Sequence, residues 1–522
     1  MRQYLLATAL VSVACGSGSV ERAAVTLSGA GTTGNFEPNG GATASGGSTA
    51  KGGSTATGGN TAAGGNTATG GNTATGGSTA TASSAVQVEP AMAHLDPGGS
   101  QTFTCNVKGV GAGAGCTWSV VGGAANGTIT SAGVYTAPST LGVSQIQATS
   151  AADPTAKGSA IAAVNTASSG MPGVWINVTP RAIKLEVSAF GNDNYGAQDV
   201  VVDPVRPSDF YAFFCHQGVW KSTDYGLTWT GPINTGKGGS MVTAGKPWTA
   251  AIGFSDRDPA KPPTLWTAAG NAAVGFLRSD DGGVSWTAFA TNNSTAVKTG
   301  NNEYYANDAY SLDMDPYDGQ HLIAGFHSGG VSESTDAGTT WKTIPVPDGL
   351  GGSLYPFFID TGDRATTRGN WVTISQSGED KGTWHTSDGG ATWKQVASFM
   401  HGHGGSQFAR LGNGVAYAPG DSAGIFKTTD GGAHWVNVSK TGSNAVVATP
   451  TKLFGAYGWA AGNADVDAGL QQASRTADTA WTVTPSPTGM TNGPKRLAVT
   501  FDGKHTILVG GFWNAGLWRY VD

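Results

Sequence analysis

Charge is scarce in this chain: Lys, Arg, Asp and Glu make up only 12% of 522 residues, and 29 basic against 35 acidic groups leave a net charge of −6. Without a basic surplus there is no electrostatic footprint for nucleic acid, and no such partner is expected. No apolar run approaches the ~20 residues of a membrane-spanning helix, so membrane association is expected only through an anchor. Cysteine is nearly absent, at four residues, whereas glycine numbers 82. That balance is unlike a cytosolic enzyme and like a secreted β protein.

The amino terminus fits export. Met1 and Arg2 lead into an apolar run that ends in small residues before Cys15, the layout of a short signal over residues 1–15. Ser12-Val13-Ala14-Cys15 resembles a bacterial lipobox, which implies lipidation of Cys15 and an outer-membrane lipoprotein, or else a secreted protein. Residues 46–81 are six hexads of the Gly-Gly-Ser/Asn-Thr-Ala kind without one Val, Leu or Ile. Nothing could fill the core of a β-helix there, so residues 16–84 read as a tether. The 36 residues of the hexads would span roughly 30–36 Å.

From Val86 the pattern changes to short alternating runs: Val86-Gln87-Val88, Gln101-Thr102-Phe103, Cys116-Thr117-Trp118, Gly133-Val134-Tyr135. Runs of this length punctuated by turns indicate a small β-sandwich over residues 85–166. An exported protein permits disulfides, and Cys105 with Cys116 closes a Gly-rich loop able to hold one. Cys215 is then expected to be an unpaired, buried small side chain. The run Gly127–Pro138 resembles the bacterial Ig-like domains of surface proteins, which implies a spacer or adhesion module.

The remainder is organised by a repeat. Ser222, Asp224, Gly226 and Trp229 fit Ser/Thr-x-Asp-x-Gly-x-x-Trp, and four more matches end at Trp286, Trp341, Trp393 and Trp435, with the Asp positions 42 to 57 residues apart. A period this long means blades or solenoid units. The Asp carboxylate and the hydroxyl can accept turn amides, Gly permits positive φ, and the Trp ring can bury beneath the turn. The motif resembles the Asp-box (BNR) repeat of sialidases, xyloglucanases and sortilin-type receptors. That resemblance implies a β-propeller over residues 173–522 with the boxes on the face away from the active site, so the five box aspartates are read as structural. Short β runs around each box, a degenerate sixth box at Ser474–Trp481 and a final unit one strand short give an all-β, seven-bladed propeller. Its missing strand is supplied by Val174–Thr179, which resembles Trp435–Ser439 and is expected to pair with residues 516–521.

With the boxes on one face, the loops joining second to third strands and one blade to the next build the other. That open face is expected to carry His216, His327, the His401/His403 pair, Glu303, Tyr304, Tyr305, Asp308, Asp199, Asp465, Lys237, Lys246, Arg496, Trp459 and Trp513. Aromatic side chains there can stack on sugar rings, and acids or His/Tyr pairs can supply general acid–base chemistry. No cofactor is expected, although a divalent metal at the histidines of this face is possible in principle, because neutral imidazoles suit transition metals.

Val200–Pro204 followed by Phe210-Tyr211-Ala212 resembles the first-blade phrase of xyloglucanases. The catalytic Asp that this resemblance implies would follow the second strand, where this chain has His216. The arginine triad and Arg-Ile-Pro signature of sialidases are lacking. Three readings follow: a glycoside hydrolase using Asp199, Asp308 or Asp465; a polysaccharide lyase using His216 or His327 with Tyr304 or Tyr305; and a non-catalytic binding propeller. The expected partner is a polysaccharide or surface glycan, or in the third reading a protein, and the protein is expected to be a monomer, with His401, His403, Lys237, Lys246, Arg496, Trp459, Trp513 and Glu303 as candidate binding residues.

Overall fold

In the computed structural model of the protein, the described residues are 85–522 without 110–111, 165–171, 193, 245, 254–257, 259, 271–274, 290–296, 300–301, 305–308, 327–329, 348–349, 351–352, 377–381, 402–406, 458–469, 491–492 and 514. The expectations for the export signal, Cys15 and the tether lie outside them. The regular secondary structure of the described residues is almost entirely β strand.

Residues 85–164 form three small sheets. Ala85–Glu89 pairs with Thr104–Lys108; Met92–Leu95 runs parallel to Lys157–Val164, which continues through Gly142–Ser150 to Cys116–Val120; Val134–Thr136 lies between Ser100–Thr102 and Thr128–Ile129. Phe103, Tyr135, Ile146 and Ala160 fill the space they enclose. Gly133, at φ 80°, packs so closely that a Cβ would meet the Phe103 carbonyl at 2.2 Å. A disulfide joins Cys105 to Cys116, with Cα atoms 6.4 Å apart.

Beyond Trp175 the chain is a succession of antiparallel sheets in sequence order. The first has three strands, Ala197–Val202, Phe210–Phe214 and Gly218–Ser222, and a bridge from Lys221 to Thr230. The second begins at Lys246–Ile252 and continues through Leu265–Gly270, Phe276–Ser279 and Thr287–Phe289. The third to sixth begin at Ala309–Asp315, Leu354–Phe358, Ala409–Gly412 and Ala445–Ala448, and each has four strands. The seventh, Arg496–Phe501, Thr506–Phe512 and Gly516–Val521, takes its fourth strand from Trp175–Asn177. There Trp175 faces Tyr520, Ile176 faces Arg519 and Asn177 faces Trp518. The second sheet starts earlier than the alternation in the sequence suggests, because Pro247 and a register shift between Pro247 and Thr249 break the pattern.

These strands are apolar on both faces because both faces are covered. In Phe210–Phe214 every residue is buried. Phe210, Ala212 and Phe214 pack on Ile507, Val509 and Leu517 of the seventh sheet, whereas Tyr211 and Phe213 pack on Leu265, Leu277 and Trp286 of the second. Every adjoining pair of sheets shares such a core, through to the sixth and seventh. The sheets therefore follow one another in a closed circle, and each buried Phe or Leu contributes about 1.5–3 kcal/mol.

The five box turns join third to fourth strands with one set of hydrogen bonds. The first-position hydroxyl donates to the Asp carboxylate, at 2.8 Å in Ser222–Asp224, and accepts the Gly amide, at 2.9 Å from Gly226. The carboxylate accepts the amide four residues on, and the Trp indole donates to the Gly carbonyl in four of the five. Trp393 donates instead to the Pro345 carbonyl, at 2.9 Å. Gly390, at φ 82°, leaves no room for a Cβ, which would stand 2.2 Å from Ile344. The degenerate sixth turn keeps the indole bond, Trp481 to the Asp478 carbonyl. Its Asp478 carboxylate turns away to Tyr417 and Lys427 of the fifth sheet.

Hydrogen bonds from the Thr392 hydroxyl and amide hold the Asp388 carboxyl at about 2. In Asp224, Asp281, Asp336 and Asp430 burial works upward as the largest single influence, yet the turn hydrogen bonds together outweigh it and the net shift is downward. A lowered folded-state pKa gives stability that is present above the unfolded value near 4 and is lost as pH falls through the folded value. Melting temperature should therefore drop steeply between about pH 4 and 2, and Asp388→Ala should show a shallower drop from a lower starting point. An unchanged acid profile in that variant would contradict the assignment. Removing residues 1–170 should leave a cooperative melt of residues 171–522, whereas removing 1–180 deletes the strand on Gly516–Val521. Equal melting temperatures for the two proteins would refute closure by Trp175–Asn177.

Candidate functional site

In each meander the turn between second and third strands lies at the end opposite the box turn, and the first strand starts at that same end. Residues in or next to the first strands of the first to fifth and seventh sheets line a cavity of about 650 Å³ of non-protein space, part of it open to solvent. Two carboxylates lie on this wall, Asp199 from the first sheet and Asp313 from the third, with Arg496 and Arg410 and the rings of Tyr355, Phe357 and Phe408.

Each carboxylate joins two neighbouring sheets. Asp199 accepts its own sheet's Val200 amide on Oδ1 (2.7 Å) and the second sheet's Ala250 amide on Oδ2 (2.8 Å). Asp313 Oδ2 accepts the Phe358 amide of the fourth sheet at 2.8 Å. Arg410 grips Asp313 with two parallel bonds, Nη1 to Oδ2 at 2.8 Å and Nη2 to Oδ1 at 3.0 Å. The Arg496 contact is looser, Nε to Asp199 Oδ2 at 3.6 Å, and its guanidinium lies 5.5 Å from the centre of the Tyr355 ring. Gln407 spans fifth and seventh sheets: its Nε2 donates to the Leu497 carbonyl and its Oε1 accepts the Leu497 amide, both at 2.7 Å.

Burial pushes the Asp199 carboxyl up, against the pull of Arg496, and the net shift is upward. Asp313 behaves alike, burial prevailing over Arg410. Burial, then the neighbouring Arg496 charge, press the Lys495 ammonium well below its ordinary value. The Lys495 Nζ lies 3.2 Å from Gln198 Oε1 and 5.8 Å from the centre of the Trp513 ring.

Among the expected residues, the structure brings Asp199 and Arg496 together. His216 occupies the turn after Phe210–Phe214, half-buried, at φ 59° and 5.5 Å from the Phe190 ring. His401 is buried, bonded through Nε2 to the Ser353 carbonyl (2.9 Å) and packed on Tyr355. Trp513 is likewise buried, edge-on to Tyr195. Lys237 corrects an expectation. Its carbonyl accepts the Trp286 amide at 2.8 Å and the neighbouring Gly236 amide donates to Val284, so it stands exposed beside the second box turn rather than on the opposite end. The segment after Thr230 crosses to the adjacent sheet's turn, which strand order alone does not reveal.

Lys246 opens the second sheet, and Glu303 and Tyr304 fall in the hairpin strand Asn302–Tyr304. Tyr305, Asp308, His327, His403, Trp459 and Asp465 lie outside the described residues. Among the described residues no group of three or more His, Cys, Asp or Glu is placed to hold a metal. Cys215 is buried but disulfide-bonded, which corrects the expectation of an unpaired thiol. Asp313, Arg410 and Gln407 escaped the sequence reading. A charged residue inside the apolar runs Tyr310–Met314 and Phe408–Leu411 was the available signal.

No family model matches the chain. A curated relative, a xyloglucanase of Paenibacillus sp., is 26% identical over 201 residues, which span 35% of this chain and 18% of that protein. Among solved structures, the GH74 xyloglucanase of Xanthomonas campestris aligns at 19% identity and a TM-score of 0.47, covering 62% of this chain and 52% of that one. YCF48 from Cyanidioschyzon merolae aligns at 14% identity and 0.42, covering 66% and 98% respectively.

Arg410→Met leaves Asp313 facing the cavity without its cation. It should lower stability by about 1–3 kcal/mol, and adding Asp313→Asn should restore part of the loss, because the uncompensated charge is then gone. Additive losses in a denaturant double-mutant cycle would show that the pair is not coupled.

Proposed function

We propose that this protein is an exported seven-bladed β-propeller that binds and hydrolyses a polysaccharide, carried behind an Ig-like domain on a tether. The observation that carries the reading is the cavity: two carboxylates and two guanidinium groups set against aromatic rings. Sugar sites combine apolar stacking faces with a few fixed polar groups in the same way. Likeness over 201 residues to a protein named xyloglucanase favours a β-glucan of xyloglucan type as substrate.

Within this reading the two carboxyls take different parts. Burial raises both carboxyls, so the roles are divided by their cations: Asp313, gripped by both Arg410 nitrogens, serves as base or electrostatic partner. Asp199, whose contact with Arg496 is the looser one, is the general acid that protonates the leaving oxygen. Phe408, half-buried and backed by the stacked Phe357 ring, gives the sugar an apolar face, and Arg496 bonds a hydroxyl.

Soluble xyloglucan should release reducing ends when treated with the intact protein. Asp199→Asn keeps one oxygen, enough for the Ala250 amide, and should lose about 10²-fold or more of the rate while still giving a cooperative melt. Full activity in Asp199→Asn would remove it as the acid. Tight binding of xyloglucan with no cleavage by the wild type would leave a binding propeller instead, and double bonds at product ends, read at 235 nm on uronate polymers, would indicate a lyase.

A further inference from the structure

The segment before the first sheet carries a feature that the fold does not explain. Phe190 sits at φ 53°, ψ 39°, followed by Gly191 at φ 75°. For a bulky L-residue the left-handed region is strained, and asparagine or glycine would occupy it at less cost. Tyr225 and Ala337 share this conformation, but they lie buried in box turns and gain apolar contact. The Phe190 ring instead stays 43% exposed, so burial does not offset its strain.

The chain leading up to Phe190 is tied down on both sides. Asn194, fully buried, donates to the Lys184 carbonyl (2.7 Å) and the Glu186 carbonyl (3.1 Å). Gln217 clamps Lys184 from the other side, accepting its amide at 2.8 Å and donating to its carbonyl at 2.9 Å. The His216 ring, itself on left-handed backbone, lies 5.5 Å from Phe190, and the Lys184 ammonium lies 5.7 Å from the ring centre. All of this is at the end of the first sheet where its inner strand begins, the end away from the box turns.

We infer that Phe190, flanked by Lys184 and His216, is a saccharide subsite: a rigid aromatic shelf for one pyranose ring of a neutral glucan. The C–H face of the sugar would lie on the ring, and the ammonium and imidazole would bond its hydroxyls. A ring fixed before binding gives up little entropy on contact, which is what the strained backbone secures. The inference rests on the polysaccharide reading above.

The test is calorimetric titration of the full chain with a soluble xyloglucan oligosaccharide. Phe190→Ala should weaken binding about tenfold or more, the usual scale for truncating an aromatic anchor, and Phe190→Trp should retain it within about threefold. Phe190→Gly should also lose affinity while melting no lower than wild type, because it relieves the strained backbone, so this variant decides the matter if Phe190→Ala folds poorly. Unchanged affinity in Phe190→Gly, with wild-type binding intact, would overturn the shelf and leave the cavity reading standing. A wild type that binds no xyloglucan, soluble or polymeric, would overturn the polysaccharide reading itself.

Discussion

Everything in residues 173–522 depends on the burial of both faces of every sheet. A strand such as Phe210–Phe214, apolar at each position, is stable only with a neighbour on either side. The first and seventh sheets are neighbours through a shared core: Ala498, Ile507, Val509 and Leu517 pack on Phe210 and Phe214. Trp175–Asn177 covers the last open edge of the seventh sheet. Arg519, fully buried, donates from Nε to the Tyr225 carbonyl of the first box turn at 2.7 Å, adding a polar tie across the same junction.

The same constraint builds the cavity. When sheets stand face to face around a circle, their first strands converge, and inward-pointing groups meet whatever their separation in sequence. Polar groups there would be costly unless paired, and each one is. Asp199 and Asp313 accept amides from the following sheet, and Gln407 bonds both backbone groups of Leu497. The carboxyls thus tie neighbouring sheets together, and asparagine at either position would retain one of the two oxygens while alanine would retain neither.

A second titratable cluster shows how differently the opposite end is used. His321, buried in the third sheet, bonds Asp315 through Nδ1 at 2.9 Å and Glu333 through Nε2 at 3.0 Å. Burial is the largest single influence on its imidazole and pulls downward, but the two carboxylate bonds outweigh it and the net shift is upward. It lies against Phe358 and Trp371 of the fourth sheet, an ion-paired filler between sheets.

The sequence alone determined what is local or periodic. Each box turn needs only its own seven or eight residues, so the hydroxyl, carboxylate, glycine and tryptophan at fixed spacing were legible, as was Val174–Thr179 as a fourth strand, from its likeness to Trp435–Ser439. The Cys105–Cys116 pairing was open to the same local reasoning. Tertiary structure alone decided which groups face one another. Asp199 and Arg496 are almost 300 residues apart, and Asp313 and Arg410 nearly 100, and no spacing rule joins them. Lys237 was misplaced for the same reason: its position follows from a crossing onto the neighbouring sheet's turn, a choice made by packing. Phe190 was invisible because its signal is a backbone angle, and a sequence shows the side chain without showing the conformation that the fold imposes on it.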